Sequence, residues 1–259
     1  MKRVSKTFVV LASCAVLAGT ASARTSGKGL FGGVSLRAGL QGGFADRTVR
    51  WDKGTDETKI KTRTAGLALD LTFPRGLDIS LFGGMAFTDP RGTVFTHLPI
   101  SLDYQAGTLR GFAFGAGVRK SLIAFGDFET GARVRYVIFM GSSKTWPIEG
   151  FAVAGEATGK PKWSEFEIGP TLTYRAYEHF TPYMGVSLSW FRGDFRMTET
   201  LGELGGTQVR KLAQKGLLRV ALGASWDIGR GVVVDGEAGI IPVKGGTNIG
   251  ATVRLLYGF

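Results

Sequence analysis

The sequence predicts an all-β fold: an antiparallel transmembrane β-barrel of ten strands, with eight or twelve strands as the alternatives. Apolar and polar residues alternate along segments of about 9 to 11 residues, the length of a tilted membrane-spanning strand. Long and short connections alternate between these segments, and glycine is concentrated on one of their two faces. Alternation alone would also suit a soluble sandwich of two sheets, so the connections and the glycines favour the barrel.

The composition agrees with a single large domain over residues 24–259. The chain has 40 glycines and 8 prolines among 259 residues, and this glycine share is far above the usual ~7%. A collagen-like chain would place glycine at every third position, and a disordered chain would lack large apolar residues. Neither pattern is present, so the glycines require an explanation within the strands.

Residues 1–23 are typical of a cleaved export signal. Three cations precede an apolar run over residues 8–19, and Ala21-Ser22-Ala23 supplies a small-residue cleavage site. The apolar run is shorter than the ~20 residues of a spanning helix. We therefore expect the mature protein to begin at Arg24 and to reach an exported compartment.

Cys14 raises an alternative, because Leu11-Ala12-Ser13-Cys14 resembles the motif at which bacterial lipoproteins are cut and acylated. The apolar run continues past Cys14 and ends in a good cleavage site, which favours cleavage after Ala23. Cys14 is the chain's single cysteine. The mature chain would then have neither an intramolecular disulfide nor a cysteine metal site.

Five predicted strands show the alternation clearly, with apolar residues outward and polar or small residues inward. In chain order, the outward residues are Leu36, Ala38 and Leu40; Phe128, Ala132, Val134, Tyr136, Ile138 and Met140; Phe166, Ile168, Leu172 and Tyr174; Leu218, Val220, Leu222, Ala224 and Trp226; and Ile249, Ala251, Val253, Leu255, Tyr257 and Phe259. Aromatic residues tend to lie at strand ends, as they do in the interfacial girdles of membrane barrels.

The connections predict which end of each strand faces outward from the cell. The predicted outer connections are residues 45–57, 88–103, 141–162, 193–210 and the hairpin at Lys244-Gly245-Gly246; the inner turns are Pro74-Arg75-Gly76, residues 120–126, Tyr177-Glu178-His179 and residues 227–231. Five outer connections and four inner turns join ten strands.

Charged residues on the inward faces predict a hydrogen-bonded network in the lumen. The predicted members are Arg37, Asp70, Asp78, Glu129, Arg133, Arg135, Glu165, Glu167, Arg175, Arg219, Asp235, Glu237 and Arg254. An unpaired charge in a confined space is costly, and pairing offsets much of that cost. Inward glycines would leave the space that the arginine side chains need in a narrow barrel.

The last strand ends in an aromatic residue at the C-terminus, with Val253, Leu255, Tyr257 and Phe259 on its outward face. This tail resembles the assembly signal of bacterial outer-membrane barrels, which implies the barrel-assembly machinery as a partner. The whole mature chain resembles, in pattern, the small outer-membrane barrels of the OmpA and OmpX type. That resemblance implies a location in the bacterial outer membrane, in contact with its lipids and lipopolysaccharide.

No catalytic, cofactor or metal site is expected. The two histidines, His97 and His179, fall in an outer connection and an inner turn, roughly 30 Å apart, so they cannot act together. The glycine runs do not match a phosphate-binding loop. Lysine and arginine form no long run, so a nucleic-acid partner is not expected.

Two functions remain open: a closed structural or surface-binding barrel that works through its outer loops, and a narrow charge-lined channel. The closed barrel is favoured because inward arginines would fill a lumen of this size. An outer-membrane enzyme is a third, less favoured alternative. Apolar loop residues either anchor an extracellular ligand or pack on one another: Trp51, Phe95 with His97, Trp146 with Phe151, and Phe195 with Met197. Basic residues of the first loop are candidates for lipopolysaccharide phosphates: Arg47, Arg50, Lys53, Lys59, Lys61 and Arg63.

Overall fold

The computed structural model describes residues 33–52, 57–91, 94–95, 102–103, 107–148 and 154–259. The proposed signal peptide and Cys14 lie outside these residues, so their assignment stays a prediction. Ten long strands form the barrel: β1 (Ser35–Trp51), β2 (Glu57–Phe73), β3 (Leu77–Arg91), β6 (Leu109–Phe125), β7 (Phe128–Gly141), β9 (Gly155–Tyr174), β10 (Phe180–Leu201), β12 (Leu218–Gly229), β13 (Val232–Val243) and β14 (Gly246–Gly258).

Each of these ten strands pairs antiparallel with its neighbours, and the ring closes on itself. The order is β1-β2-β3-β6-β7-β9-β10-β12-β13-β14, and β14 pairs with β1 over ten residue pairs. The prediction of a closed ten-stranded antiparallel barrel is therefore confirmed. Closure leaves no free sheet edge along the wall, as a membrane-spanning sheet requires.

Four further strands lie at the outer end: β4 (Val94–Phe95), β5 (Leu102–Asp103), β8 (Lys144–Ile148) and β11 (Leu204–Gln214). β4 and β5 form their own small sheet, and β8 pairs with β9. β11 returns from β10 and pairs with β1 from Val49 to Trp51. Since β12, β13 and β14 end lower, β11 takes their place between β10 and β1 at the outer end.

Three of the inner turns are found where they were predicted; in place of the turn predicted over residues 120–126, β6 continues to Phe125 and the turn consists of Gly126 and Asp127. In the first, Pro74, Arg75 and Gly76 connect the paired residues Phe73 and Leu77, and Arg75 and Gly76 both have positive φ, 65° and 71°, as residues in tight hairpin turns often do. His179 lies at the inner end, between β9 and β10. The prediction of long irregular outer loops is wrong at three places. β1 continues to Trp51, β8 and β9 occupy much of residues 141–162, and residues 193–210 belong to the β10–β11 hairpin.

The outer surface of the barrel is an apolar belt. Leu67 and Leu222 face outward with 69% and 63% of their surface exposed. Exposure of this kind is costly in water and favourable in lipid. Among the residues described, no helix is long and apolar enough to cross a membrane.

Aromatic side chains border the belt at its inner edge in a continuous chain of ring contacts. Phe125 contacts Phe128, which contacts Tyr174, and Tyr177 links Tyr174 to Phe180, with ring centroids 4.9 to 6.3 Å apart. At the outer edge Phe166 lies 5.7 Å from Trp190. Aromatic side chains at both edges of an apolar belt are typical of the exterior of a bacterial outer-membrane barrel.

Inward glycines allow neighbouring strands to pass closely. A Cβ at Gly66 would lie 2.5 Å from the Cα of Gly84, and a Cβ at Gly84 would lie equally close to the Cα of Gly66. These two residues face each other across β2 and β3. Here the glycine is required by a backbone approach, rather than by the space that a nearby arginine needs.

Candidate functional site

Glu167 is the centre of a salt-bridge network in the middle of the lumen. Only 1% of its surface is exposed. Its Oε1 accepts a hydrogen bond of 2.9 Å from Arg135, and its Oε2 accepts one of 3.3 Å from Arg219. The Arg133 guanidinium is 4.0 Å from the same Oε2. Three arginines therefore surround one buried carboxylate, and each of them was predicted to face the lumen.

Glu237 extends this network across the barrel. It accepts hydrogen bonds from Arg133 and, at 2.9 Å, from Arg219, and the Tyr183 hydroxyl donates to it at 3.1 Å. Arg133 belongs to β7 and Glu237 to β13, four strands away around the ring. Side chains from opposite parts of the wall thus meet in the lumen.

A second bridge joins strands that lie directly opposite each other. Arg47 on β1 donates to Glu165 on β9 at 2.5 Å, and these strands are five places apart in either direction around the ring. Ser189 also donates to Glu165, at 3.0 Å, and Arg47 donates to Gln214 at 2.6 Å. The interpretation of Arg47 as a loop cation is therefore wrong, because its side chain crosses the lumen.

Three smaller clusters lie towards the inner end. Arg254 donates to Asp70 at 2.9 Å and to Asp235 at 2.7 Å. Arg119 donates to Asp78 at 3.1 Å. The carboxylates of these pairs are more exposed than that of Glu167, so water competes more strongly for their charges.

At the inner mouth, Arg175 donates to Glu129 at 2.9 Å and Ser121 donates to the same carboxylate at 2.6 Å. Arg175 is half exposed and marks the edge of the network. Arg37 lies opposite Asp70 across β1 and β2. Arg47 and Arg119 were not among the predicted members of the network, although their inward positions follow from the alternation of apolar and polar residues along β1 and β6.

Above the network, the outer half of the lumen is filled by apolar side chains. We call this group the apolar plug: Val49, Trp51, Ile60, Ala86, Leu109, Ala113, Phe139, Ile148, Ala157, Trp163, Phe191, Phe195, Met197 and Leu212, all buried. Phe139 stacks on Trp163 with centroids 3.9 Å apart, and Trp51 meets Phe195 edge-on at 6.3 Å. Its members come from β1 to β3 and from β6 to β11, the strands that form the wall at the outer end, so the plug crosses the lumen there.

The plug decides between the two roles that were left open for apolar residues near the outer end. Trp51, Phe195 and Met197 are buried in the plug, and Trp146 packs against it. For these residues the interpretation as exposed anchors is wrong, and packing on one another is confirmed. The side chain of Phe95 and residues Phe151 and His97 lie outside the described part of the chain.

The burial of these residues reflects an inversion of the strand pattern at the membrane surface. Along β10, outward Leu188 and Trp190 are followed by outward Arg192 and Arg196, while inward Ser189 is followed by inward apolar residues. The same inversion occurs on β9, where outward lysines replace apolar residues above Phe166. The barrel wall therefore continues beyond the membrane with its amphipathic faces exchanged.

A cavity of about 120 Å³ lies between the plug and the network. Its lining includes Gln41, Thr62, Arg47 and Glu165 on the polar side and Trp163 on the apolar side. A water molecule takes ~30 Å³ in the liquid, so the cavity has room for a few waters. Within the described residues, no group of three or more His, Cys, Asp or Glu residues is arranged to hold a metal ion.

The outward residues of the last strand also have their predicted orientation. Val253 and Tyr257 are exposed on the lipid side, and Tyr257 contacts Phe259 with centroids 5.3 Å apart. Leu255 occupies the same face. Recognition of this tail by the assembly machinery stays a prediction.

Several residues that were predicted to contact lipopolysaccharide have side chains that face outward above the apolar belt. Arg50, Lys59, Lys61 and Arg63 are exposed on β1 and β2, and Lys53 lies outside the described residues. Acids accompany these cations: Lys61 is 3.9 Å from Asp46, and Arg50 pairs across the strands with Glu57. The compensation is uneven, because Glu57 also forms a salt bridge with Lys215 and neither Lys59 nor Arg63 has an acid opposite it.

No protein-family model and no curated protein sequence matches this chain. Solved structures similar to it include the outer-membrane protease OmpT from Escherichia coli (15% identity, 87% of this chain and 96% of the other, TM-score 0.47). Another is the translocator domain of the autotransporter NalP from Neisseria meningitidis (15% identity, 98% of this chain and 95% of the other, TM-score 0.48). A third is the attachment invasion locus protein Ail of Yersinia pestis (11% identity, 86% of this chain and 98% of the other, TM-score 0.32). With TM-scores below 0.5, these likenesses add nothing to the architecture already given by the strand pairings.

Proposed function

We propose that this protein is a closed outer-membrane barrel that acts as a rigid surface element rather than as a channel or an enzyme. The observation that carries the proposal is the double obstruction of the lumen. Salt bridges cross it between opposite strands, and the apolar plug fills it further out. Each obstruction involves side chains with well-defined partners, so neither depends on a loop folding inward.

The plug is the stronger argument for closure. A charged or hydrated solute that crossed it would have to leave its water shell among aromatic side chains, which is costly. The plug contacts are also cohesive, because aromatic rings at these separations contribute beyond their buried area. A barrel built in this way presents its outer wall, rather than a pore, to the cell surface.

The channel alternative rests on the same inward charges. Rings of charge select ions where they line a wet path. Here the acids and bases pair with each other across the lumen instead of separating to opposite walls. We assign the surface role to the part of the wall formed by β8 to β11, because this part continues above the membrane.

Conductance in a planar bilayer tests the proposal. We expect refolded residues 24–259 to give no reproducible current steps. A variant with Glu167→Gln is measured alongside, because a conducting lumen centred on this carboxylate would change its ion selectivity. Phe166→Ala with Trp190→Ala serves as a control for altered contact with lipid, since both residues lie on the outer girdle.

Reproducible steps in the wild type, with a selectivity that changes in the Glu167→Gln variant and not in the girdle control, would establish the channel and overturn the closed barrel. Silence of all three proteins supports closure. Folding of each protein is verified by its shifted migration on an unheated gel.

A further inference from the structure

Exposed cations without protein partners lie on the outer wall of β9 and β10, immediately above the apolar belt. We call this group the basic face: Lys160, Lys162, Arg192 and Arg196. Within the described part of the chain, none of the four forms an ion pair. A single acid, Asp194, is interleaved with them, opposite Lys162.

The register places like charges directly opposite each other. Lys160 pairs with Arg196 across β9 and β10, an arrangement that is unfavourable unless an anion lies between the two side chains. Arg192 pairs with Ser164 on one side and with Ala213 on the other, so no cross-strand acid compensates it. The face therefore has an excess of positive charge where neighbouring strands could have supplied acids.

The position of the basic face limits what can cover it. Arg192 is the next outward residue after Trp190, and Trp190 contacts Phe166 at the outer edge of the belt. Below them, Leu188 and Ile168 are exposed to lipid. With a rise of about 3.3 Å per residue and a tilt near 40°, Arg196 lies roughly 15 Å above Trp190 along the membrane normal.

We propose that the basic face binds one phosphorylated glycolipid of the outer leaflet, lipopolysaccharide. Its acyl chains would lie along the apolar belt below Trp190. Arg192 and Lys162 would meet phosphates near the acyl boundary, and Lys160 with Arg196 would meet anionic groups of the sugar head further out. Arginine and lysine both suit phosphate, arginine through two parallel hydrogen bonds.

The β2 cations provide a matched comparison. Lys59 and Lys61 also face outward above the belt, yet Asp46 and Asp89 lie next to or opposite Lys61. The charge of Lys61 is therefore partly compensated before any lipid arrives, whereas Lys59 lies opposite Thr48 and Arg91 in the register. We therefore expect the basic face of β9 and β10, rather than the first connection, to be the main site.

The test measures binding by native mass spectrometry of the detergent-folded barrel, titrated with lipopolysaccharide, lipid A or phosphatidylglycerol. The Arg192→Gln/Lys162→Gln variant removes two phosphate contacts and is expected to lose at least about tenfold in affinity for both lipopolysaccharide and lipid A, since tenfold is the effect of losing one charge-assisted contact. Lys160→Gln/Arg196→Gln is expected to lose affinity for lipopolysaccharide but to retain binding of lipid A, whose head is smaller. Lys59→Gln/Lys61→Gln, with the same change in charge, is the control and should change affinity less than threefold.

Equal losses in the β2 control would overturn the proposal, as would unchanged binding by the Arg192→Gln/Lys162→Gln variant. Phosphatidylglycerol binding as tightly as lipid A would show that any anionic lipid suffices. Full displacement of lipid A by millimolar inorganic phosphate would assign the site to free phosphate. The measurement does not depend on lumen closure, so its failure and that of the closed barrel are distinguishable.

Discussion

Glu167 holds its charge among three arginines and almost no water. Replacing it with glutamine keeps the shape but leaves Arg135 without its carboxylate, while Arg219 keeps only its contact with Glu237. Removing one partner of a buried ion pair costs about 3 to 5 kcal/mol. We predict that Glu167→Gln lowers the free energy of unfolding by roughly 3 kcal/mol, measured by urea titration of the barrel in lipid vesicles.

Asp78→Asn is the matched control for that prediction. Its partner Arg119 and Asp78 itself are about one-third exposed, and such pairs contribute only ~0 to 1 kcal/mol. A loss at Asp78 as large as the loss at Glu167 would mean that burial does not set the energetics of these lumen charges.

Gly66 is restricted by the backbone of the next strand rather than by a side chain. An alanine Cβ there would lie 2.3 Å from the carbonyl oxygen of Gly83, so β2 and β3 would have to separate. Overpacking of this kind costs about 1 to 3 kcal/mol. We predict that Gly66→Ala lowers the urea midpoint of unfolding and slows refolding. Gly236→Ala, with no atom within 4 Å of its new Cβ, should change neither. Similar behaviour of the two variants would contradict the role of the close approach between β2 and β3.

At the scale of the element, β11 is the least expected feature. It replaces β12, β13 and β14 at the outer end and brings its own Ala213 opposite Arg50 of β1. Directly opposed residues have Cβ atoms near the separation that a disulfide requires. We predict that Arg50→Cys/Ala213→Cys forms a disulfide on mild oxidation, detected by its migration on a non-reducing gel.

The control for that cross-link keeps one cysteine and moves the other. In Arg50→Cys/Val209→Cys the second position is four residues away along β11, about 13 Å, so no disulfide should form. Equal cross-linking of both variants would mean that this segment moves freely, and that β11 does not close the ring.

The membrane-spanning parts of these strands are predictable from sequence, because lipid and lumen impose opposite demands on alternate residues. Leu218 to Trp226 and Ile249 to Phe259 illustrate this, and both were oriented correctly. The parts above the membrane were not predicted. On β10, Phe195 and Met197 still alternate with Arg196 and Thr198, but the apolar side now faces inward, so a search for outward apolar residues ends at Trp190.

The lumen network was predictable in membership but not in pairing. Alternation identifies which residues face inward, and this located Glu165 and Glu237. Which charges meet depends on barrel diameter and strand stagger, which are properties of the closed ring. Arg47 shows the difference: its bridge to Glu165 joins residues 118 positions apart in sequence, and no local pattern indicates that contact.

At the scale of the whole molecule, the plug and the network are two barriers in series along one lumen. Current through such a path is limited by whichever barrier remains. The Trp163→Ala/Phe195→Ala variant thins the plug, and the Arg135→Gln/Glu167→Gln variant removes the salt bridge between these two residues of the adjacent strands β7 and β9. We predict that each variant conducts weakly. The combined variant should conduct more than the sum of the two in a planar bilayer. If the plug variant alone conducts as well as the combined variant, the network is permeable to ions and the plug is the single seal. The control adds Phe166→Ala/Trp190→Ala to the Arg135→Gln/Glu167→Gln variant, which removes two aromatic side chains that face lipid instead of two from the plug.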